Sequence, residues 1–111
     1  MMKLPPFDIR RRRFDEAAAK LPERRWTCPR CAFPTLEERG VSEICPLCRW
    51  EDDGRDDAQL VETRHGATLA RARAEAEGVL APLAVEAYLA WMSDPTPASW
   101  AKALKAERRL R

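Results

Sequence analysis

The sequence holds a single histidine, His65. No Cys-His or Ser-His-Asp constellation therefore has a second suitable member nearby, which reads against catalysis. Beside Gly66 and just ahead of a predicted helix, His65 reads as a capping or surface residue, not a ligand. Large apolar residues are also scarce. Leu, Ile, Val and Phe together number 20 of 111, and aromatics make up 7%. Such poverty accompanies disorder when net charge is high, but here the net charge is only +2. A small chain short of core material usually draws stability from disulfides or a metal. No apolar run is long enough to span a bilayer: the longest, Val79 to Met92, is interrupted by Pro82 and Glu86 and falls short of the ~20 residues required. The basic start, Met1 to Arg13, is not backed by the apolar stretch of a signal peptide. A soluble, cytoplasmic protein of one compact domain is expected, with no membrane partner.

Charge divides the chain into three parts. Residues 1–26 carry a net +4, residues 27–66 a net −4 and residues 67–111 a net +2. A first helix is expected over Arg13 to Leu21, where Phe14, Ala17, Ala18 and Leu21 keep helical spacing before Pro22. Residues 1–25 thus read as a basic arm with a short helix. Residues 26–66 read as a four-cysteine unit of small hairpins punctuated by Pro29, Pro34, Gly40 and Pro46, with 51–66 as an acidic loop. Residues 67–111 read as helical. Thr68 caps a helix with Leu69, Ala72, Ala76, Val79 and Leu80 on one face. Pro82 opens another, with Val85, Tyr88, Leu89 and Met92 inward, ended by Ser93-Asp94-Pro95. Thr96-Pro97 opens the last, which carries Trp100 and Leu104 and ends in a basic tail. Trp91 and Trp100 read as core. The fold class is α+β, a small zinc-ribbon-like hairpin unit followed by a helical carboxyl half.

The chemistry-bearing signal is Cys28-Pro29-Arg30-Cys31, 13 residues, then Cys45-Pro46-Leu47-Cys48. Each C-x-x-C turn sets two sulfurs on one side of a tight bend, and two turns complete a tetrahedron. Four thiolates suit one zinc ion, leave no open coordination position and mark it as structural. A redox-active pair, two disulfides and a mononuclear iron site are the competing readings, with iron the alternative cofactor. The residue after each second cysteine often takes φ > 0 and prefers Gly; here it is Ala32 and Arg49. Either those turns bend differently or each costs up to about 1–2 kcal/mol, small beside the ~10–16 kcal/mol of a structural zinc site.

The run Cys28-Pro29-x-Cys31, Leu36, Glu43-Ile44-Cys45-Pro46-x-Cys48, Trp50-Glu51-Asp52-Asp53-Gly54, then Leu69 with Ala72-Arg73, resembles the bacterial cysteine-rich CPCC domain family over about residues 26–74. The resemblance implies zinc at the four cysteines. It departs at Arg30, where the family's extra cysteine would stand, at Ala32 in place of Gly, and at Arg64-His65-Gly66-Ala67, which lacks the usual asparagine.

Glu51-Asp52-Asp53-Gly54 does not fit a calcium loop, because with Gly54 sixth the first and last ligand places fall to Arg49 and Leu60. Adjacent carboxylates also point apart and cannot flank a scissile bond. Trp50 reads as a cover for the metal unit, with Asp52 or Asp53 capping a turn and pairing with arginines. The acidic charge also suggests a surface of Trp50, Glu51, Asp52, Asp53, Asp56 and Asp57 for a basic protein partner. Arg10, Arg11, Arg12 and Arg13 form a solvated run that in an alternative reading contacts nucleic acid. The expected role is non-enzymatic, with no small-molecule substrate: an adaptor or immunity-type interaction module, or alternatively a nucleic-acid-binding zinc ribbon.

Overall fold

The first helix, α1 (Phe7–Ala18), begins at Phe7, not at Arg13. Pro6 sits at its N-cap, and the Pro6 carbonyl accepts from Arg10 N at 2.9 Å. The stripe that turns inward is Arg10, Phe14 and Ala18, at i, i+4 and i+8. Arg10 extends the apolar face because its long stem packs like a hydrocarbon, and backbone carbonyls receive its head. Its side chain is only 1% exposed. The arginine run therefore lies within a helix, with Arg10 buried, Arg11 half-buried and Arg12 and Arg13 exposed to solvent.

The structure, a computed structural model, describes residues 4–57, 61–62 and 67–111. After α1 the chain builds two small hairpins. The first closes on an antiparallel bridge between Trp26 and Leu36. The second pairs β1 (Glu43–Ile44) with β2 (Glu51–Asp52), Glu43 opposite Asp52 and Ile44 opposite Glu51. Their outer turns meet at two glycines, Gly40 (φ +75°) and Gly54 (φ +91°). A Cβ on Gly54 would lie 3.2 Å from the Gly40 Cα, so both conformation and space demand glycine there. A further pair joins β3 (Val61–Glu62) to β4 (Ala67–Thr68), so both β2 and β3 fall in the 51–66 segment expected to be loop. His65 falls outside the described residues.

Helix α2 (Leu69–Ala76) is capped by Thr68, whose side chain accepts from Arg71 N, and buries Leu69, Ala72 and Ala76. It stops before Val79, which is 56% exposed instead of sharing that face. The reason is local: Gly78 and Val79 donate back to Glu75 and Ala76 in a tight turn. Helix α3 (Pro82–Ser93) has proline in its first turn and buries Ala84, Val85, Tyr88 and Trp91. Helix α4 (Pro97–Arg108) starts with a capping box between Thr96 and Ser99 and buries Ala103 and Glu107.

An aromatic cluster joins α1, the first hairpin, α3 and α4. Phe14 of α1 lies 5.1 Å from Phe33, which follows the first cysteine pair, and Phe33 lies 6.0 Å from Tyr88 of α3. Trp91 stacks 6.3 Å from Phe14 and contacts Trp100 of α4 at 4.6 Å. The hairpin unit and the helical half therefore share a core.

Candidate metal centre

Two near-identical turns carry the cysteines. In the first, Cys28 N donates to the Phe33 carbonyl (2.9 Å) and Ala32 N to the Cys28 carbonyl (2.9 Å). In the second, Cys45 N donates to Trp50 O (2.8 Å) and Arg49 N to Cys45 O (2.8 Å). Ala32 and Arg49 both take φ 68°, the left-handed conformation expected of a knuckle with glycine. The turns bend as ideal knuckles do, and non-glycine residues bear the strain.

Together the turns bring four sulfurs to one point. Cys28, Cys31 and Cys45 are fully buried and Cys48 is 2% exposed. All four sulfurs lie within 4.8 Å of one another. Cys28 and Cys48 are 3.6 Å apart, and Cys31 and Cys45 are 3.7 Å apart. These separations match the ~3.8 Å edge of a tetrahedron with ~2.3 Å metal–sulfur bonds and far exceed the ~2.05 Å of a disulfide. The cluster is placed to hold one metal ion with every coordination position filled by protein.

Burial pushes the Cys28 and Cys31 thiols well up. Burial acts the same way on Cys45, but hydrogen bonds from Cys28, Cys31, Cys48 and Thr35 outweigh it and hold that thiol well down. Thr35 Oγ1 lies 3.0 Å from the Cys45 sulfur. Four thiolates cannot coexist in this volume unaided; a cation at the centre removes the conflict by taking all four as ligands. A divalent ion with four thiolates would still carry a net charge of about −2. The surroundings oppose that charge. Arg10 Nε donates to the Cys31 carbonyl (3.1 Å), Arg30 Nη1 to the Cys48 carbonyl (2.7 Å) and Arg73 Nε to the Pro29 carbonyl (2.7 Å). Three guanidinium groups thus face the knuckles, and nothing in their sequence spacing announced it.

The acidic segment is organised differently from the surface expected. Trp50 is 2% exposed and packs in the core, and Asp52 is fully buried. Asp52 accepts from Arg39 Nε (2.8 Å) and Nη2 (3.3 Å) and from the amides of Gly40 and Gly54 (3.0 Å each). Asp53 accepts from Arg55 N and Nε. The capping and pairing expected of Asp52 and Asp53 are both present. Asp56 takes a bidentate pair from Arg11 and further contacts from Arg39 (3.2 Å) and Arg73 (3.0 Å). Burial tends to raise its pKa, but the Arg11 hydrogen bond and the three positive charges dominate and lower it. Of the six residues expected on a docking surface, Trp50 and Asp52 are buried, Glu51, Asp53 and Asp56 are half-buried and Asp57 is exposed. The reason is that arginines distant in sequence converge on the carboxylates.

The same convergence removes two of the four arginines of the alternative site. Arg10 is buried, and Arg11 also donates to Thr27 Oγ1, whereas Arg12 and Arg13 are exposed. Sequence reasoning missed Thr35, Arg25, Tyr88 and Glu107 as a connected set. Arg25 Nη1 donates to the Thr35 carbonyl (3.1 Å) and lies 3.5 Å from Glu107 Oε1, which accepts from the Tyr88 hydroxyl. A buried chain of contacts thus runs from a cysteine sulfur to α4.

No curated protein and no solved structure matches the chain. The model of the cysteine-rich CPCC family matches residues 26–81, which contain the four clustered cysteines, both hairpins and α2. The chain belongs to the cysteine-rich CPCC family.

Proposed function

We propose that this chain is a non-enzymatic, cytoplasmic protein-interaction module, of adaptor or immunity type, held in shape by one structural zinc ion. The observation that carries the reading is the buried tetrahedron of Cys28, Cys31, Cys45 and Cys48, which leaves no coordination position for water or substrate. Zinc is favoured over iron because a closed four-thiolate site built from two knuckles is a common structural zinc arrangement and needs no redox role. The cytoplasmic assignment draws on four free thiols suited to a reducing compartment. Among the described residues, no helix is long and apolar enough to cross a membrane. A protein partner is favoured over nucleic acid because Arg10 and Arg11 are committed to Cys31, Pro5, Thr27 and Asp56, which leaves little of the basic run for phosphates.

The test is capture from the native host with zinc-loaded and chelator-stripped protein after nuclease treatment. A specific protein retained only by the loaded form is the expected result. Submicromolar binding of RNA or DNA at physiological salt, abolished by Arg12→Ala with Arg13→Ala, would install the nucleic-acid reading instead.

A further inference from the structure

A groove of about 700 Å³ opens where the end of α1 faces the proline-flanked turn between α3 and α4. Trp91, Met92, Trp100 and Leu21 line it, and Pro22, Pro95 and Pro97 shape its edges. Its walls are fixed: Trp91 is held between Phe14 and Trp100, and the capping box at Thr96 pins the turn. Tryptophan and methionine in a preformed concavity are the composition of an interface anchor pocket.

The rim supplies the second half of the argument. Arg13 on α1 and Lys20 in the turn just after it both border the groove, and Glu16 lies between them in sequence. All three are exposed. Among the described residues, none of the three takes part in an ion pair. This contrasts with Arg10, Arg11, Arg25, Arg30, Arg39 and Arg73, whose heads are engaged inside the fold. The rim carries a net positive charge beside an apolar floor. A matching ligand inserts a large apolar side chain and places carboxylates on either side of it.

We propose that this groove binds an acidic peptide segment of a partner protein, with an aromatic or leucine anchor seated on Trp100 and Met92 and flanking carboxylates paired with Arg13 and Lys20. The proposal rests on the protein-interaction reading above and moves the docking face from the acidic ribbon to the junction of α1, α3 and α4. Lys20 and Arg13 steer the segment, whereas Glu16 disfavours a carboxylate at the centre and so restricts acidic residues to the flanks.

The experiment uses the full metal-loaded chain and a short blocked peptide in which a Phe-Leu pair is flanked by glutamates. Binding is read by tryptophan fluorescence and calorimetry. The expected result is saturable binding with Kd below about 100 µM, weakened at least about tenfold by Arg13→Glu with Lys20→Glu and by replacing Phe-Leu with Ser-Ser. The same double variant should gain affinity for a control peptide in which lysines replace the flanking glutamates. Met92→Glu, at the partly exposed floor, provides a second variant, and metal content and helical circular dichroism verify that both remain folded. Equal binding of the glutamate- and lysine-flanked peptides, occupancy of the groove by a second copy of the chain in sedimentation, or no binding near 1 mM peptide overturns the proposal. Partner capture that survives Met92→Glu and the charge reversal would sink the groove while leaving the interaction reading intact.

Discussion

The Tyr88 hydroxyl donates to Glu107 Oε1 across 2.7 Å, with both side chains buried between α3 and α4. Burial, the Glu107 charge and the hydrogen bond all push the phenol pKa well above its usual value. The folded state therefore holds the Tyr88 proton more tightly than the unfolded chain. Its contribution is complete below about pH 10 and is lost as pH rises through the folded-state value. Tyr88→Phe is expected to cost about 1–3 kcal/mol at neutral pH, because Glu107 loses a buried donor. The variant should also lose less stability than the parent between about pH 9 and about pH 11. Urea midpoints across that range decide it; parallel curves would refute the linkage.

Removing the metal should unfold more than the ribbon. Phe33 follows the first knuckle directly and packs against Phe14 and Tyr88, so losing the knuckle opens the core under the helices. A structural zinc site contributes roughly 10–16 kcal/mol of apparent binding energy, comparable with or larger than a domain's whole stability of about 5–15 kcal/mol. Freshly prepared protein should contain close to one equivalent of zinc, measured by elemental analysis. Chelation or Cys45→Ser should abolish the cooperative transition and most helical circular dichroism. Native helix content in the metal-free chain would show that the helices form a separate unit; iron and a red colour would transfer the site to the alternative ion.

The two left-handed residues should respond differently to glycine. Arg49 is exposed at φ 68°, and its Nη2 reaches only Leu110 O at 3.5 Å. Relief of about 1–2 kcal/mol of strain should exceed the ~0.4–1 kcal/mol of added chain entropy in the unfolded state, so Arg49→Gly raises the melting temperature. Ala32 has the same φ but is fully buried, and losing its methyl costs about another 0.8 kcal/mol. Ala32→Gly should be close to neutral. A larger gain at Ala32 than at Arg49 would contradict the strain argument.

Asp56 holds three arginines from three parts of the chain, and Asp56→Asn leaves them facing one another. Since Asp56 is partly exposed, solvent screening limits the loss to about 1–2 kcal/mol at neutral pH. Its lowered pKa means that this contribution is present above the ordinary carboxylate range and fades as pH falls through the folded value. The difference between parent and variant, followed by chemical denaturation from pH 7 downward, should therefore shrink in acid. A pH-independent difference would assign the loss to packing alone.

The features legible in the sequence were those whose cause is local. The knuckles, the Thr68 and Thr96 caps, the Pro82 and Pro97 starts and the end of α3 at Ser93 each depend on a few neighbouring residues, and the structure has them where spacing placed them. The left-handed turns at Ala32 and Arg49 were visible too, as positions where glycine was wanted. What could not be read was the use of arginine. Periodicity counts Arg10 as polar, yet it continues the buried stripe of Phe14 and Ala18 because tertiary carbonyls receive its head. Segment charges likewise hid the balance between Asp56 and Arg11, whose side chains meet across 45 positions of sequence.

With its four cysteines between 0% and 2% exposed, the centre also sets a clock. Chelators and competing ions cannot approach a thiolate while the knuckles are closed, so loss of the bound ion must wait for a transient opening of the hairpins. When reclosing outpaces capture, the exchange rate measures how often that opening occurs, much as amide exchange does. Residence time of the ion then becomes a direct reading of ribbon mobility, and strain relief at Arg49 should lengthen it even if intrinsic affinity for the metal stays constant.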